Sequence, residues 1–408
     1  MSVGLQAHGA FGSTSVTPSA VIDRRERGRR HTVMLLATIE TKAEEIAYMV
    51  DALAENGVHA RVCDVSIDAG GKRLTGAQKV QAMQRTASEV VTGIGPLLGP
   101  AYGAILGLGG GTGGQIITDI MRALPFSYPK VLVTTLPFDP RSMLADNSIV
   151  VVPTLADICG LNATLRQSFD HAAALVSGIC RNPRRRMHVS ETPSIGITAL
   201  SATAGGTDPL VRFVQAYGHE ATVFHANGYG GAAFSRWCEA GAFDGVIDYT
   251  THEMTRMAIA GAHCDMPHRF TAASRAGVPQ IVLPGGINFL GLGEIAYLPK
   301  RYLDRPHYHH SRLFTHVKAT PDEIRMSAQL LAMALKEARS PTHLLVPMGG
   351  FSSEDAPGGA IEDEELREIF LETVEGLLGN AVPITVMDDH LNSDACALRA
   401  WELLMEHL

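Results

Sequence analysis

Short apolar runs alternate along this chain with segments of helical period, and nearly every run stops at a glycine, a hydroxyl or a histidine. Thr32–Ala37 (TVMLLA) breaks at Thr38-Ile39-Glu40-Thr41-Lys42, and 43–56 then carries Ile46, Met49, Val50 and Leu53 at helical spacing. His59–Val65, Gly103–Leu108 and Lys130–Leu136 repeat the pattern, with helices expected over 76–93 and 115–124. A strand that is apolar throughout must be covered on both faces, and helical crossovers between parallel strands provide that cover. The expected class is therefore α/β, with Rossmann-like domains and mainly parallel sheets.

The rhythm returns further on. Strands are expected at Ser194–Leu200, Ala221–His225, Gly245–Tyr249, Gln280–Leu283, His343–Pro347 and Ile384–Met387. Helices are expected over 208–217, 231–240, 268–276, 321–338, 362–378 and 393–407. At about 150 residues per domain, the 408 residues suit two or three domains. A charged stretch with Pro183 and Pro193 is expected to link them as 183–193, leaving domains at 31–182 and 194–408. Residues 1–30, rich in Ser, Thr and Gly and closing on an arginine run, read as a disordered basic leader. They hold no apolar run of secretory type.

Composition removes several classes. A formal charge of −8 argues against a general nucleic-acid binder. No run of about 20 apolar residues offers a membrane span. The six cysteines lie far apart with no C-x-x-C, which reads as reduced thiols in a cytoplasmic protein. The expected partners are a small-molecule ligand and, by the commonest symmetry, a second copy in a homodimer or higher homo-oligomer.

Open parallel sheets bind ligands beyond the carboxyl ends of their strands. In the first domain three such ends carry polar groups: Thr38, Thr41, Lys42 and Glu44; the run Gly109, Gly110, Gly111, Thr112, Gly113, Gly114 with Gln115; and Thr134, Thr135 and Asp139. Backbone without Cβ atoms can approach a phosphate closely, and the helix that follows offers free N–H groups and a positive dipole end. Lys42 would neutralise phosphate charge, and Thr38, Thr41 and Thr112 would donate hydrogen bonds. Gly109-x-Gly111-x-x-Gly114 also has the form of a dinucleotide fingerprint, with Asp139 as the acid 25 residues on. No Walker-type P-loop is present.

The second domain's strand ends form the expected substrate rim: Gly205, Gly206 and Thr207; Gly230 and Gly231; Thr250 and Thr251; Gly285, Gly286 and Asn288. His225, His252 and Glu253 are the candidate catalytic residues, as acid–base groups or, with Asp248, as ligands of a divalent metal. H-E-x-x-H is absent, so no motif names the metal, and G-x-S-x-G is absent, so no nucleophile elbow is expected. His307, His309 and His310 resemble a metal tract, but a loop or subunit contact is the plainer expectation.

Taken in order, these motifs resemble the UPF0261 family of Tm-1-like proteins. The resemblance rests on Ala37–Glu45, Leu108–Gly114, Pro153–Asn162, Val223–Gly231, Asp248–Glu253, Pro284–Gly286 and Asp355–Gly359, and it spans about 31–408. It implies two α/β domains, the first an ATP-binding region; the expected place for ATP or a similar phosphate ligand is then the glycine run Gly109–Gly114. Two places depart from the family pattern: Glu40-Thr41-Lys42-Ala43, where the family has Asp-Thr-Lys with a glycine, and Leu136–Pro140, where it has a loop containing Gly-Asp. The alternative expectation is a metal-assisted hydrolase or carbon–carbon lyase acting on a small keto-acid-like substrate.

Overall fold

A computed structural model describes residues 32–67, 74–98, 102–126, 128–137, 139–181 and 192–408. The expected leader and most of the expected linker lie outside the described residues. The chain forms two compact units. One takes the described residues of Met1–Asp139 and Asn147–Met187, the other Pro140–Asp146 together with the described residues of His188–Leu408.

The first unit holds β1 (Thr32–Ala37), β2 (His59–Asp64), β3 (Ala104–Leu108), β4 (Lys130–Thr134) and β5 (Val150–Pro153). They form one all-parallel sheet in the order β2-β1-β3-β4-β5. This is a doubly wound order whose switch point lies between β1 and β3. The helices are α1 (Ile39–Glu55), α2 (Gly76–Ile94), α3 (Gly111–Ala123), α4 (Pro140–Leu144), which belongs to the second unit, and α5 (Ala163–Arg181). Val33, Leu35, Leu106, Val131 and Val133 pack one face of the sheet against Ile46, Met49 and Leu53 of α1 and Phe169, Ala172 and Val176 of α5. Because β1, β3 and β4 are buried almost throughout, their sequences are continuous apolar runs.

The second unit carries β6 (Ser194–Ala199), β7 (Glu220–His225), β8 (Gly245–Thr250), β9 (Gln280–Gly285), β10 (Phe289–Leu292), β11 (His307–Ser311), β12 (Phe314–Lys318), β13 (Thr342–Pro347) and β14 (Ile384–Met387). Six form a parallel sheet ordered β14-β13-β9-β8-β6-β7, the same winding with one more strand, and its switch point lies between β6 and β8. The expected parallel α/β class holds in both units. A small antiparallel sheet, β10-β12-β11, was not expected, and it takes up the His307–His310 stretch as a strand. Among the described residues no helix is long and apolar enough to cross a membrane.

Candidate functional site

The first unit's switch point gathers the residues its sequence singles out. The run Gly111–Gly114, expected as a loop before the helix, is instead the first turn of α3 with Gly110 as its N-cap. An alanine methyl at Gly109 would meet the Gly114 nitrogen at 2.5 Å, so Gly109 is required by the closeness of strand and helix. A methyl at Gly113 would face Thr38, one at Gly114 would face Thr134 Oγ1, and one at Gly110 would reach Thr135 Oγ1 at 4.0 Å. A methyl at Gly111 would meet nothing within 4 Å. The three strand ends therefore converge on the start of α3, with Gly111 facing open space.

Two helices start at this switch point, and their ends differ. The Ile39 N–H of α1 donates to Asp64 Oδ1 at 3.1 Å and the Glu40 N–H to Ser66 Oγ at 3.4 Å, so that end is closed internally. The start of α3 has no side-chain cap. Its first-turn N–H groups have no carbonyl partner within the helix and point out of its N-terminus. Thr134 Oγ1 is fully buried with no hydrogen-bond partner among the described residues. Thr38 and Thr41 pair their hydroxyls at 3.0 Å, and α1 is kinked at Lys42 (φ −134°, ψ 27°). Lys42 Nζ donates to the Ile158 carbonyl, so its cation is on the rim but turned to a neutral acceptor. Just beyond β4 and β5, Leu136 (φ 52°) and Leu155 (φ 56°) hold left-handed backbone. That conformation costs about 1–2 kcal/mol per non-glycine residue.

The second unit's rim is built differently. Arg269 is fully buried and donates to both oxygens of Asp248, at 2.7 and 2.9 Å, to the Thr250 carbonyl at 3.1 Å, and from Nε to Glu253 Oε2. Glu253 Oε1 accepts the N–H groups of Gly228 (2.9 Å) and Gly231 (3.1 Å), and Thr198 Oγ1 donates to Asp248 Oδ1 at 2.6 Å. Burial alone would lower the pKa of Arg269, but the two carboxylates outweigh it and raise it. Asp248 and Glu253 thus flank a buried cation and brace the ends of β6, β7 and β8. A metal ion between them would have to displace the guanidinium.

The other rim glycines serve close packing. A methyl at Gly206 would meet Tyr249 Oη at 2.1 Å, at Gly205 Asn392 at 2.9 Å, at Gly230 the His225 carbonyl at 2.2 Å, and at Gly285 the Tyr249 carbonyl at 2.2 Å. Gly286 sits at φ +72°. The hydroxyls of Thr207, Thr250 and Thr251 are bonded internally, to Thr203 O (3.2 Å), Thr203 Oγ1 (2.8 Å) and Leu283 O (3.0 Å). Asn288 donates to Ser352 Oγ at 3.2 Å, and its Oδ1 is buried without a partner among the described residues.

The histidines divide. His252 is fully buried, with Nδ1 2.8 Å from the Gly286 carbonyl and its ring stacked on Phe289. Burial, helped by Arg256, holds its pKa well below the ordinary value. His225 is exposed at the end of β7, and desolvation at the rim lowers its pKa against the opposing charge of Glu253. His310 lies against His316 and Glu354, neither of which the sequence singles out. Arg269 is equally absent from the sequence-level candidates. It sits in Met266-Pro267-His268-Arg269-Phe270, where neither spacing nor motif marks it.

Residues 192–408 match the uncharacterised protein family UPF0261 C-terminal domain, and residues 68–185 match the N-terminal domain of the same family. A UPF0261 protein of Clostridium tetani is 28% identical over 394 residues, covering 90% of this chain and 96% of its own length. One from Mesorhizobium japonicum is 28% identical over 366 residues, covering 84% and 90%. The ToMV resistance protein Tm-1(GCR237) of Solanum lycopersicum is 26% identical over 295 residues, which is 71% of this chain but 39% of the tomato protein. Among solved structures, the ligand-free, open form of a substrate-binding protein from Clostridium difficile reaches TM-score 0.19 at 9% identity over 88% of this chain, too little to bear on fold or function. With both domains matched in order along the chain, the protein belongs to the UPF0261 family.

Proposed function

We propose that the first unit binds a phosphate-bearing small molecule, ATP in the first instance, at the start of α3. The observation that carries this reading is the contrast between the two helix ends at the switch point: α1 is closed by Asp64 and Ser66, whereas α3 begins uncapped behind Gly110. Free N–H groups and the positive end of a helix dipole favour an anion there. The residues present fit the group. Gly111 leaves room for a phosphate, the unpartnered Thr134 hydroxyl lies beside Gly114, and Thr38 and Thr135 border the same turn. Lys42 would join by exchanging the Ile158 carbonyl for a phosphate oxygen. The six cysteines lie far apart in the sequence without a C-x-x-C and five of them are buried, which suits a reducing cytoplasm.

The competing reading places acid–base or metal chemistry on His225, His252 and Glu253. The geometry favours it less, because Arg269 and two backbone N–H groups already hold both Glu253 oxygens.

Thermal unfolding with ATP–Mg, ATP alone, NAD and inorganic phosphate tests the proposal. A ligand at about 100 times its dissociation constant stabilises by about 2.7 kcal/mol. For a domain of this size that raises Tm by roughly 5–10 °C. The shift should vanish in Gly111→Val, whose side chain enters the open space without clashing at Cβ. No shift with any phosphate compound, or an undiminished shift in Gly111→Val, refutes the assignment.

A further inference from the structure

We propose that His310, His316 and Glu354 of the second unit form a binding site for a divalent first-row transition ion. The site goes beyond the phosphate reading and does not depend on it. Each residue offers one donor atom, and no two of these atoms are more than 4.8 Å apart. His310 comes from β11, His316 from the neighbouring β12, and Glu354 from the short turn Ser353–Asp355 that follows β13.

Three observations give the cluster its meaning. First, Glu354 is buried, yet its Oε2 has no hydrogen-bond partner among the described residues. A buried carboxylate oxygen left without a donor loses its hydration for nothing in return, which native structures avoid. A cation answers that deficit. Second, His316 Nδ1 faces the other carboxylate oxygen, Oε1, at 3.2 Å, close to the separation of two donors on one ion, so an ion can replace the proton the pair shares. Third, the β11–β12 register slips between Tyr308 and Ser311, so the strand bulges at His309 and His310. Bulges re-aim side chains. Here His310 lies parallel to His316 with ring centroids 4.6 Å apart, and its Nε2 is 3.3 Å from Ser201 Oγ at the end of β6.

Two imidazole nitrogens and a carboxylate oxygen suit Zn²⁺, Fe²⁺ or Co²⁺ over Mg²⁺ or Ca²⁺, and three protein ligands leave positions open for water or a substrate oxygen. Metal-bound donors lie about 3.3 Å apart in a tetrahedral shell with bonds near 2.0–2.1 Å. Binding therefore requires the cluster to contract. His310, the partly exposed member, must leave its stack, because the lone pair of an imidazole lies in the ring plane.

The test uses the full-length chain, stripped with EDTA and titrated with Co²⁺ while visible d–d absorbance is read. The expected result is one saturable equivalent, displaced by Zn²⁺, which binds more tightly in the same ligand set. His310→Ala and the isosteric Glu354→Gln should each weaken binding by at least about tenfold, the smaller end of what loss of even a supporting residue brings to a metal site. His309→Ala, exposed on the same strand, should change nothing, and far-UV circular dichroism checks that each variant folds. Absence of saturable uptake overturns the proposal. So does uptake that survives both His310→Ala and Glu354→Gln, or a loss in His309→Ala equal to that in His310→Ala.

Discussion

Glu253→Gln separates a brace from an acid–base group. In the native unit Glu253 Oε1 takes the Gly228 and Gly231 N–H groups and Oε2 takes Arg269 Nε–H. Glutamine keeps one oxygen for the glycines and turns an amide NH₂ toward the guanidinium, donor against donor. Arg269 then retains Asp248 as its only carboxylate partner. Breaking a buried ion pair by neutralising one side costs about 3–5 kcal/mol. The surviving bidentate bond to Asp248 argues for the lower end, about 3 kcal/mol. Both side chains are wholly buried, so solvent screening gives no relief. For a unit of this size the loss lowers Tm by roughly 6–12 °C. Differential scanning calorimetry on the full chain reads it. A Tm unchanged to within about 2 °C would mean that Arg269 does not rely on Glu253. Such a result, joined to loss of a ligand response, would return Glu253 to the chemistry of the rim.

The glycines of the first unit should divide cleanly: Gly109→Ala forces a methyl to within 2.5 Å of backbone and should cost about 1–3 kcal/mol in thermal unfolding, whereas Gly111→Ala should be neutral or slightly stabilising. Gly206→Ala drives a methyl onto the Tyr249 hydroxyl and the Leu391 carbonyl and should destabilise the second unit by a similar amount or prevent its folding, as expression and calorimetry would show. Stability should also fall on mild acidification. Burial lowers the pKa of His252 and His390, and His390 accepts the Asn392 N–H at Nδ1 (2.9 Å), a bond that protonation would break. A folded-state pKa below the unfolded value of about 6.5 gives stability that is full above that pH and lost below it. Each histidine that stays neutral should forfeit about 0.8 kcal/mol between about pH 7.5 and 6.0. A flat Tm across that range would show that these rings take up protons in the fold.

Most of the parallel architecture is legible because buried strands need apolar residues on both faces. TVMLLA at β1 and AILGL at β3 admit no other use in a chain with helices between them. The polar strand ends are legible for the same reason, since chemistry must be placed where the apolar run stops. The glycine run stands out in the sequence, though not as the first turn of α3, because glycine is a poor helix former and its presence there answers to the closeness of Gly109 and Gly114. What escapes is pairing across sequence. Glu253 looks catalytic until Arg269, 16 residues on, closes over it, and no local pattern announces that arginine. His316 and Glu354 stand 38 residues apart, and His316 reaches Glu354 from a three-stranded ribbon whose strands are four or five residues long and partly polar. Strands that short carry too little periodicity to be read.

The allotment of Pro140–Asp146 to the second unit has a practical meaning. The chain passes between units at Asp139/Pro140, at Asp146/Asn147 and again between the described residues 181 and 192, so neither unit is an uninterrupted stretch of sequence. Arg236 of the second unit donates to the Asp146 carbonyl at 2.9 Å, and Arg141 lies 5.1 Å over the Tyr229 ring, so the excursion is stitched to its host at both ends. Cutting the gene near residue 190 would deprive the C-terminal fragment of that segment and leave the N-terminal fragment with a helix that has no surface to cover. A fragment meant to stand for the second unit must therefore carry residues 140–146 as well as 192–408.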